Sequence, residues 1–148
     1  MEKGAVEELN TLLKGEQMAV EAFERFIENV DNDEVKTELQ NMQKDHKNNS
    51  AKIAEKIQNL GGKVGGGTGI AGVMSNLKMK LDGIDNWNTL EILQKAYDGE
   101  DQGIAAAEKS LGANMDRDSA EIMEQVLSKD HDHLKKLAKM IEKYEEKH

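Results

Sequence analysis

The sequence predicts an all-α protein built as a four-helix bundle, and three observations support this fold class. The 148 residues contain no proline, and the aromatic side chains favoured in strands make up only 3% of them. Apolar residues recur at alternating steps of three and four along four long stretches, which is the period of an amphipathic helix. Glycine-rich or polar breaks separate these stretches. The length fits one domain spanning residues 1–148.

The sequence marks where several of the predicted helices begin or end. Asp31 and Glu34 have the spacing of a capping box before helix two, and Asn88 and Glu91 have it before helix three. Gly112 is typical of the residue that follows a helix. The predicted helices one to four cover residues 4–30, 33–60, 89–111 and 117–145, and a further short helix covers residues 70–81.

The lengths of the connections predict the topology. Short breaks join helices one and two, and helices three and four, so each pair forms an antiparallel hairpin. The connection of residues 61–88, which contains the short helix, is long enough to run back along a helix of about 37 Å. The sequence therefore predicts a hairpin at residues 4–60, a long crossover, and a second hairpin at residues 89–146, in the order up-down-down-up.

The two predicted hairpins repeat each other. A shift of 84 residues places the apolar face of helix one on that of helix three, with Glu16 falling on Glu100. A shift of 85 residues relates helices two and four, because the sequence Lys-Asp-His occurs at residues 44–46 and again at residues 129–131. We interpret the chain as an internal duplication of one helical hairpin.

Polar residues interrupt the apolar faces of all four helices near mid-height. Glu16 and Glu100 lie within the faces of helices one and three, His46 lies within that of helix two, and His131 lies at the edge of that of helix four. Burying unpaired carboxylates costs several kcal/mol each, and a divalent cation held among them removes that cost. These four side chains therefore predict a metal site. Hydrogen bonds among them across the core remain the alternative. His133 is expected on a solvated face, and a ligand role in a different rotation of helix four is the alternative for it.

Three glycines lie inside the predicted helices, close to the inward glutamates. Gly15, Gly99 and Gly103 each lower helix stability by about 1 kcal/mol relative to alanine. We expect them to permit a close approach of the helices, and an access point for water or a small ligand is the alternative.

Three short motifs carry a resemblance to a known superfamily. They are Leu-Leu-Lys-Gly-Glu at residues 12–16, Ile-Gln-Asn-Leu-Gly-Gly at residues 57–62 and Tyr-Asp-Gly-Glu at residues 97–100. Together with the duplicated hairpin, they resemble the ferritin-like superfamily of rubrerythrins and ferritins. The likeness is greatest to a small bacterial ferritin-like family of uncharacterised function, and it extends over about residues 5–145.

One departure from the superfamily concerns the metal ligands. Its di-iron members carry Glu-x-x-His on helices two and four, but here Gln43 and Ser128 stand three residues before His46 and His131. Asp130-x-x-His133 has the right spacing, yet its counterpart under a shift of 85 is Asp45-x-x-Asn48. The full di-iron set is therefore absent. The expected ligands of an incomplete site are Glu16, His46, Glu100 and His131, helped by Asp130 or Asn49.

The resemblance implies a function that depends on a divalent metal. Iron is the first expectation, with manganese or zinc as alternatives. Bound iron implies handling of oxygen or peroxide, or a role in metal homeostasis. An external reductant would be needed, because the chain contains no cysteine. The alternative function is a metal-free ferritin-like scaffold, or a partner-binding stress protein, without catalytic activity.

Composition and charge exclude several other partners. The formal net charge of −9 repels phosphate backbones, so we expect no binding to nucleic acid. No apolar run approaches the roughly 20 residues needed to span a bilayer, and the acidic N-terminal residues do not resemble a signal peptide. We therefore expect a cytoplasmic protein without membrane contact. The resemblance to the superfamily also implies a homodimer.

Overall fold

A computed structural model describes residues 2–65, 80–110 and 115–147. Four long helices account for most of them, and the described residues contain no strand, which confirms the predicted all-α four-helix bundle. The helices are α1 (Glu2–Asn29), α2 (Asp33–Asn59), α3 (Thr89–Ser110) and α4 (Arg117–Lys147), with a short 3₁₀ helix at Ile84–Asn86. The short helix predicted at residues 70–81 lies outside the described residues, except for its last two positions.

Side-chain caps fix where the helices begin. The capping box before α3 is confirmed, since Asn88 Oδ1 accepts the Glu91 N–H at 2.8 Å and Glu91 Oε1 accepts the Asn88 N–H at 3.0 Å. Before α2 the expected capping residue, Asp31, is wrong by one position. The cap is Asn32, whose Oδ1 accepts the Val35 N–H at 3.0 Å. Each cap satisfies a backbone donor that the helix itself leaves unpaired.

The turn that follows α2 directs the chain back towards α1. Gly61 has a φ of 82°, a left-handed conformation in which glycine carries no steric penalty. Beyond it, the Asn10 side chain of α1 donates to the Lys63 carbonyl at 3.0 Å and accepts the Gly65 N–H at 2.9 Å. The start of the crossover is therefore held beside the first turns of α1.

The four helices enclose two hydrophobic clusters. α1 packs against α2 and α3, and α4 packs against α3 and α2. The upper cluster joins the end of α1 to the beginnings of α2 and α3; its buried members are Phe23, Phe26, Val30, Val35, Leu39, Met42, Leu81, Ile84, Ile92, Leu93, Ala96 and Leu137. The lower cluster consists of Leu9, Leu12, Leu13, Ile53, Ile57, Ile104, Ala107, Met123, Val126 and Leu127.

The membership of the clusters fixes the direction of each helix. α1 and α4 run from the lower to the upper cluster, whereas α2 and α3 run from the upper to the lower. The order is therefore up-down-down-up, as predicted. Along every helix, the residues between the two clusters include buried polar ones, so a polar layer separates the two halves of the core.

Candidate metal centre

The polar layer reflects a repeat in the burial pattern of the helices. Each of the seven buried residues of α4 lies 84 positions after a buried residue of α2. The shift of 85 inferred from the Lys-Asp-His sequences is therefore wrong, and a single shift of 84 applies to both pairs of helices. Under this shift Glu16 corresponds to Glu100, His46 to Asp130, and Asn49 to His133. All six side chains are buried.

The corrected register changes which histidine of α4 faces inward. His131 is exposed and takes no part in the polar layer, so its expected inward position is wrong. His133, expected on a solvated face, is only 1% exposed. Residues two apart on a helix point in nearly opposite directions, about 200° around the axis, so only one of the two histidines can face the core.

Four of the buried side chains converge closely enough to hold one cation. One ligand atom each from His46, Glu100, Asp130 and His133 lies within 4.8 Å of all the others. Ligand atoms on opposite sides of an ion bound at about 2.0–2.2 Å are roughly 4.4 Å apart, so this spacing is close to what a single ion requires. Imidazole and carboxylate donors suit iron, manganese and zinc.

His46 lies at the centre of this group. Its Nδ1 is 2.9 Å from Glu16 Oε1, and its Nε2 is hydrogen-bonded to Glu100 Oε1. The ring donates to both carboxylates only when it is protonated. Burial by itself lowers the pKa of His46, but the hydrogen bonds to Glu100 and Glu16 outweigh it and raise this pKa well above its usual value.

Glu16 and Glu100 differ in their further partners. Asn49 Nδ2 donates to Glu16 Oε1 at 2.9 Å, so Asn49 orients this carboxylate through its amide group. Glu100 Oε2 lies 3.3 Å from His133 Nδ1. Burial raises the pKa of Glu100, but the hydrogen bonds to His133 and His46 outweigh it, and the net effect is a lowered pKa.

His133 has a second carboxylate behind it, which the sequence analysis missed. Its Nε2 donates to Asp45 Oδ2 at 2.8 Å, and Asp45 is part-buried at the edge of the bundle. This hydrogen bond fixes the ring so that Nδ1 faces the centre. A carboxylate behind the imidazole is the usual support of a histidine ligand.

The carboxylate of Asp130 indicates whether a cation fits among the four converging side chains. The side chain is buried, and its Oδ1 has no hydrogen-bond partner in the part of the chain that the structure describes, although Nδ1 of His46 and Nδ1 of His133 lie 3.6 and 3.8 Å from it. Burial and the nearby charge of Glu16 raise the pKa of Asp130 to about 9. An acceptor left without a partner in a buried site is strongly unfavourable, and a cation supplies the missing partner. The residues present therefore fit a metal ion.

The residue three positions before His46 does not serve this site. Gln43 is buried, but its Nε2 donates to the Val20 carbonyl at 3.0 Å and to Glu24 Oε1 at 3.2 Å, both on α1. Ser128, in the same position relative to His131, is exposed. Neither side chain belongs to the converging group.

Fold and site together define a four-helix protein with a buried His, Glu and Asp cluster that can hold a metal ion. A family model of a domain of unknown function, DUF2383, matches residues 4–113, about three quarters of the chain. The protein belongs to the DUF2383 family. A search of curated proteins gave no match. No helix among the described residues combines the length and the apolar character that crossing a membrane requires.

Proposed function

We propose that this protein is a ferritin-like metal-binding bundle that holds one divalent transition metal ion in its polar layer. Iron is the first candidate, with manganese and zinc as alternatives. The observation that carries the proposal is the convergence of His46, Glu100, Asp130 and His133, in which Asp130 Oδ1 has no hydrogen-bond partner among the described residues. The up-down-down-up order of the helices supports the ferritin-like assignment.

The ligand pattern supports one ion rather than two. Di-iron bundles of this class use one Glu from each of two helices and a Glu-x-x-His motif from each of the other two. Here Asp130-x-x-His133 provides one carboxylate and histidine motif. The corresponding positions on α2 hold His46-x-x-Asn49, which supplies no carboxylate. We therefore assign Glu100, Asp130 and His133 as the core of a single site, completed by His46 and Glu16.

The side chains around the ion have distinct roles in this proposal. Asp45 holds His133 with its Nδ1 towards the centre, and Asn49 holds Glu16. The two hydrophobic clusters exclude water from above and below, which strengthens electrostatic interactions in the layer. A bound iron ion with an open position would supply redox chemistry with oxygen or peroxide. Because the chain contains no cysteine, electrons would come from an external reductant.

Elemental analysis of the purified protein, with variants on one helix, tests this function. We expect about one transition metal ion per wild-type chain, and loss of the ion in Glu100→Gln, which keeps the size of the side chain. The matched control is Glu108→Gln, because Glu108 is exposed two turns further along α3. Metal-free wild-type protein that takes up no Fe(II), Mn(II) or Zn(II) would refute the proposal.

The second candidate function is a metal-free scaffold that binds a partner protein. The observation in its favour is that both ring nitrogens of His46 are hydrogen-bonded to carboxylates, so a protonated His46 links Glu16 and Glu100 without an ion. Thermal unfolding separates the two candidates. A metal site predicts a melting temperature that rises on addition of the cognate ion. The scaffold predicts a melting temperature that none of the three ions changes.

A further inference from the structure

A cavity of about 490 Å³ lies between α1 and α3 and reaches the polar layer. Glu16, His46, Glu100 and Asp130 line its inner end. The volume is within the range of sites that bind small organic molecules, about 300–1,000 Å³. Asp130 is only 6% exposed, so the cavity stops at the buried polar layer.

The glycines beside the glutamates widen this cavity. Apart from its own stretch of helix, a Cβ atom added at Gly15, Gly99 or Gly103 would meet no atom of the described residues within 4 Å. The expectation that these glycines permit close helix contact is therefore wrong. Each still lowers helix stability relative to alanine, and no contact among the described residues requires a glycine there. Their effect is to leave open space next to Glu16 and Glu100.

The upper half of the cavity is long and apolar. Ala19, Ala22, Phe23 and Phe26 line it along α1. The distance along the helix axis from Glu16 to Phe26 is about 15 Å, at 1.5 Å per residue. This shape suits an extended aliphatic chain, whose burial against apolar walls is favourable.

Two lysines lie at the upper end of the cavity. Lys80 precedes Leu81, which belongs to the upper cluster, and both residues line the cavity. Lys95 also lines it, with its Nζ 5.9 Å from the centre of the Trp87 ring. In a chain with a net charge of −9, two cations beside an apolar channel are complementary to a negatively charged group. Asp98 lines the same half and is the acidic exception.

We propose that this cavity binds an elongated molecule with an apolar chain and an anionic head group. The head group contacts Lys80 and Lys95, and the chain lies along Ala19 and Phe23 in the apolar half of the cavity. The ligand class is that of a medium-chain carboxylate. This inference rests on the proposed function, because the inner end of the cavity is the metal site and the ligand is placed beside the ion.

Calorimetric titration of the full-length protein with decanoate tests the proposal. We expect one decanoate per chain, and an affinity lowered about tenfold or more by Ala19→Leu, which fills the channel. Ala51→Leu is the matched control, because Ala51 is exposed on α2 and does not line the cavity. An affinity that is undetectable in the wild type, or equal in Ala19→Leu and Ala51→Leu, would overturn the proposal.

The charge of the head group is tested separately. The double variant Lys80→Gln/Lys95→Gln is expected to weaken decanoate binding by about threefold to tenfold, since ion pairs near the surface contribute only modestly to affinity. Decyltrimethylammonium, which has the same chain and a positive head group, is expected to bind more weakly than decanoate. Equal binding of the two ligands would contradict the assigned role of the lysines.

The possible results separate the ligand proposal from the metal proposal and from a dimer interface at the same surface. A protein that holds no metal but binds decanoate would refute the proposed function and leave the cavity assignment standing. A protein that holds metal but does not bind decanoate would support the proposed function and overturn the cavity assignment. Light scattering identifies a further occupant: a wild-type dimer that Ala19→Leu dissociates would show that a second copy covers the channel, and would overturn the ligand proposal.

Discussion

The rings of His46 and His133 meet edge to face in the polar layer, with centroids 4.8 Å apart and planes inclined by 70°. The two rings come from α2 and α4 and share one carboxylate, since His46 Nε2 and His133 Nδ1 face different oxygens of Glu100. Glu100 is thereby fixed at both oxygens. This pair of histidines therefore holds Glu100, a proposed ligand, in place.

The first prediction compares the two neighbouring histidines of α4. His133→Ala is expected to lower metal affinity by about tenfold to a hundredfold, because it removes a proposed ligand and the hydrogen-bond partner of Asp45. His131→Ala is expected to leave affinity unchanged, because His131 is exposed. Competition with a chelator of known affinity measures both variants. A larger loss in His131→Ala than in His133→Ala would show that the register described here is wrong.

The second prediction concerns the residue behind His133. Asp45→Asn keeps the size of the side chain but weakens the hydrogen bond that orients the ring, and we expect a tenfold to hundredfold loss of metal affinity. The same chelator competition measures it, with the exposed Asp132→Asn on α4 as the control. An Asp45→Asn variant with wild-type affinity would show that His133 needs no orienting carboxylate.

The fold was predictable from the sequence because its signals were redundant. Apolar periodicity, polar breaks and the length of the crossover all indicated two hairpins. Glu16, His46 and Glu100 were found as inward residues because each interrupts an apolar face with the period of that face. Their burial depends only on the helix to which they belong, so a sequence pattern is sufficient to detect it.

The inward histidine of α4 was harder to predict, because two repeats in the sequence gave different registers for this helix. The repeated Lys-Asp-His sequences favoured a shift of 85 and therefore His131, whereas the apolar faces favour 84 and therefore His133. The signal for His133 was present, since residues 119, 123, 126, 130, 133 and 137 alternate in steps of four and three. Asp45 was not predictable, because its role depends on how α2 packs against α4.

The third prediction concerns pH and the metal-free protein. The pKa of Asp130 is raised to about 9 in the folded state from an ordinary value of 3.8, so between these values the folded protein retains a proton that the unfolded chain has lost. The free energy of unfolding therefore falls as pH rises through this range, by at most about 1.4 kcal/mol per pH unit for one group. The raised pKa of His46 acts in the same direction, because its contribution is lost as pH rises through the folded value.

Denaturant unfolding of chelator-treated protein at pH 5.5, 7 and 8.5 measures this dependence. We expect stability to decrease across the series, and Asp130→Asn to show a smaller decrease, because the amide does not titrate. The lowered pKa of Glu100 has the opposite effect but acts only below its ordinary value of 4.5. Stability that is constant or rises across the series would contradict the assigned protonation of the layer.

The fourth prediction restores the second half of the ligand pattern. The double variant His46→Glu/Asn49→His places a carboxylate and a histidine on α2 at the positions equivalent to Asp130 and His133. The chain would then carry the six-ligand arrangement of a di-iron bundle. We expect two metal ions per chain in place of one, measured by elemental analysis. The single variant Asn49→His is the control, and it is expected to retain one ion because position 46 still lacks a carboxylate.

A crystal of untreated wild-type protein, measured at the absorption edges of iron, manganese and zinc, tests the central claim most directly. We predict one anomalous peak per chain in the polar layer, about 2.0–2.2 Å from oxygen or nitrogen atoms of Glu100, Asp130 and His133. A layer without a peak after the crystals are soaked in all three ions, or a peak confined to His131 and the exposed carboxylates of α4, would contradict it.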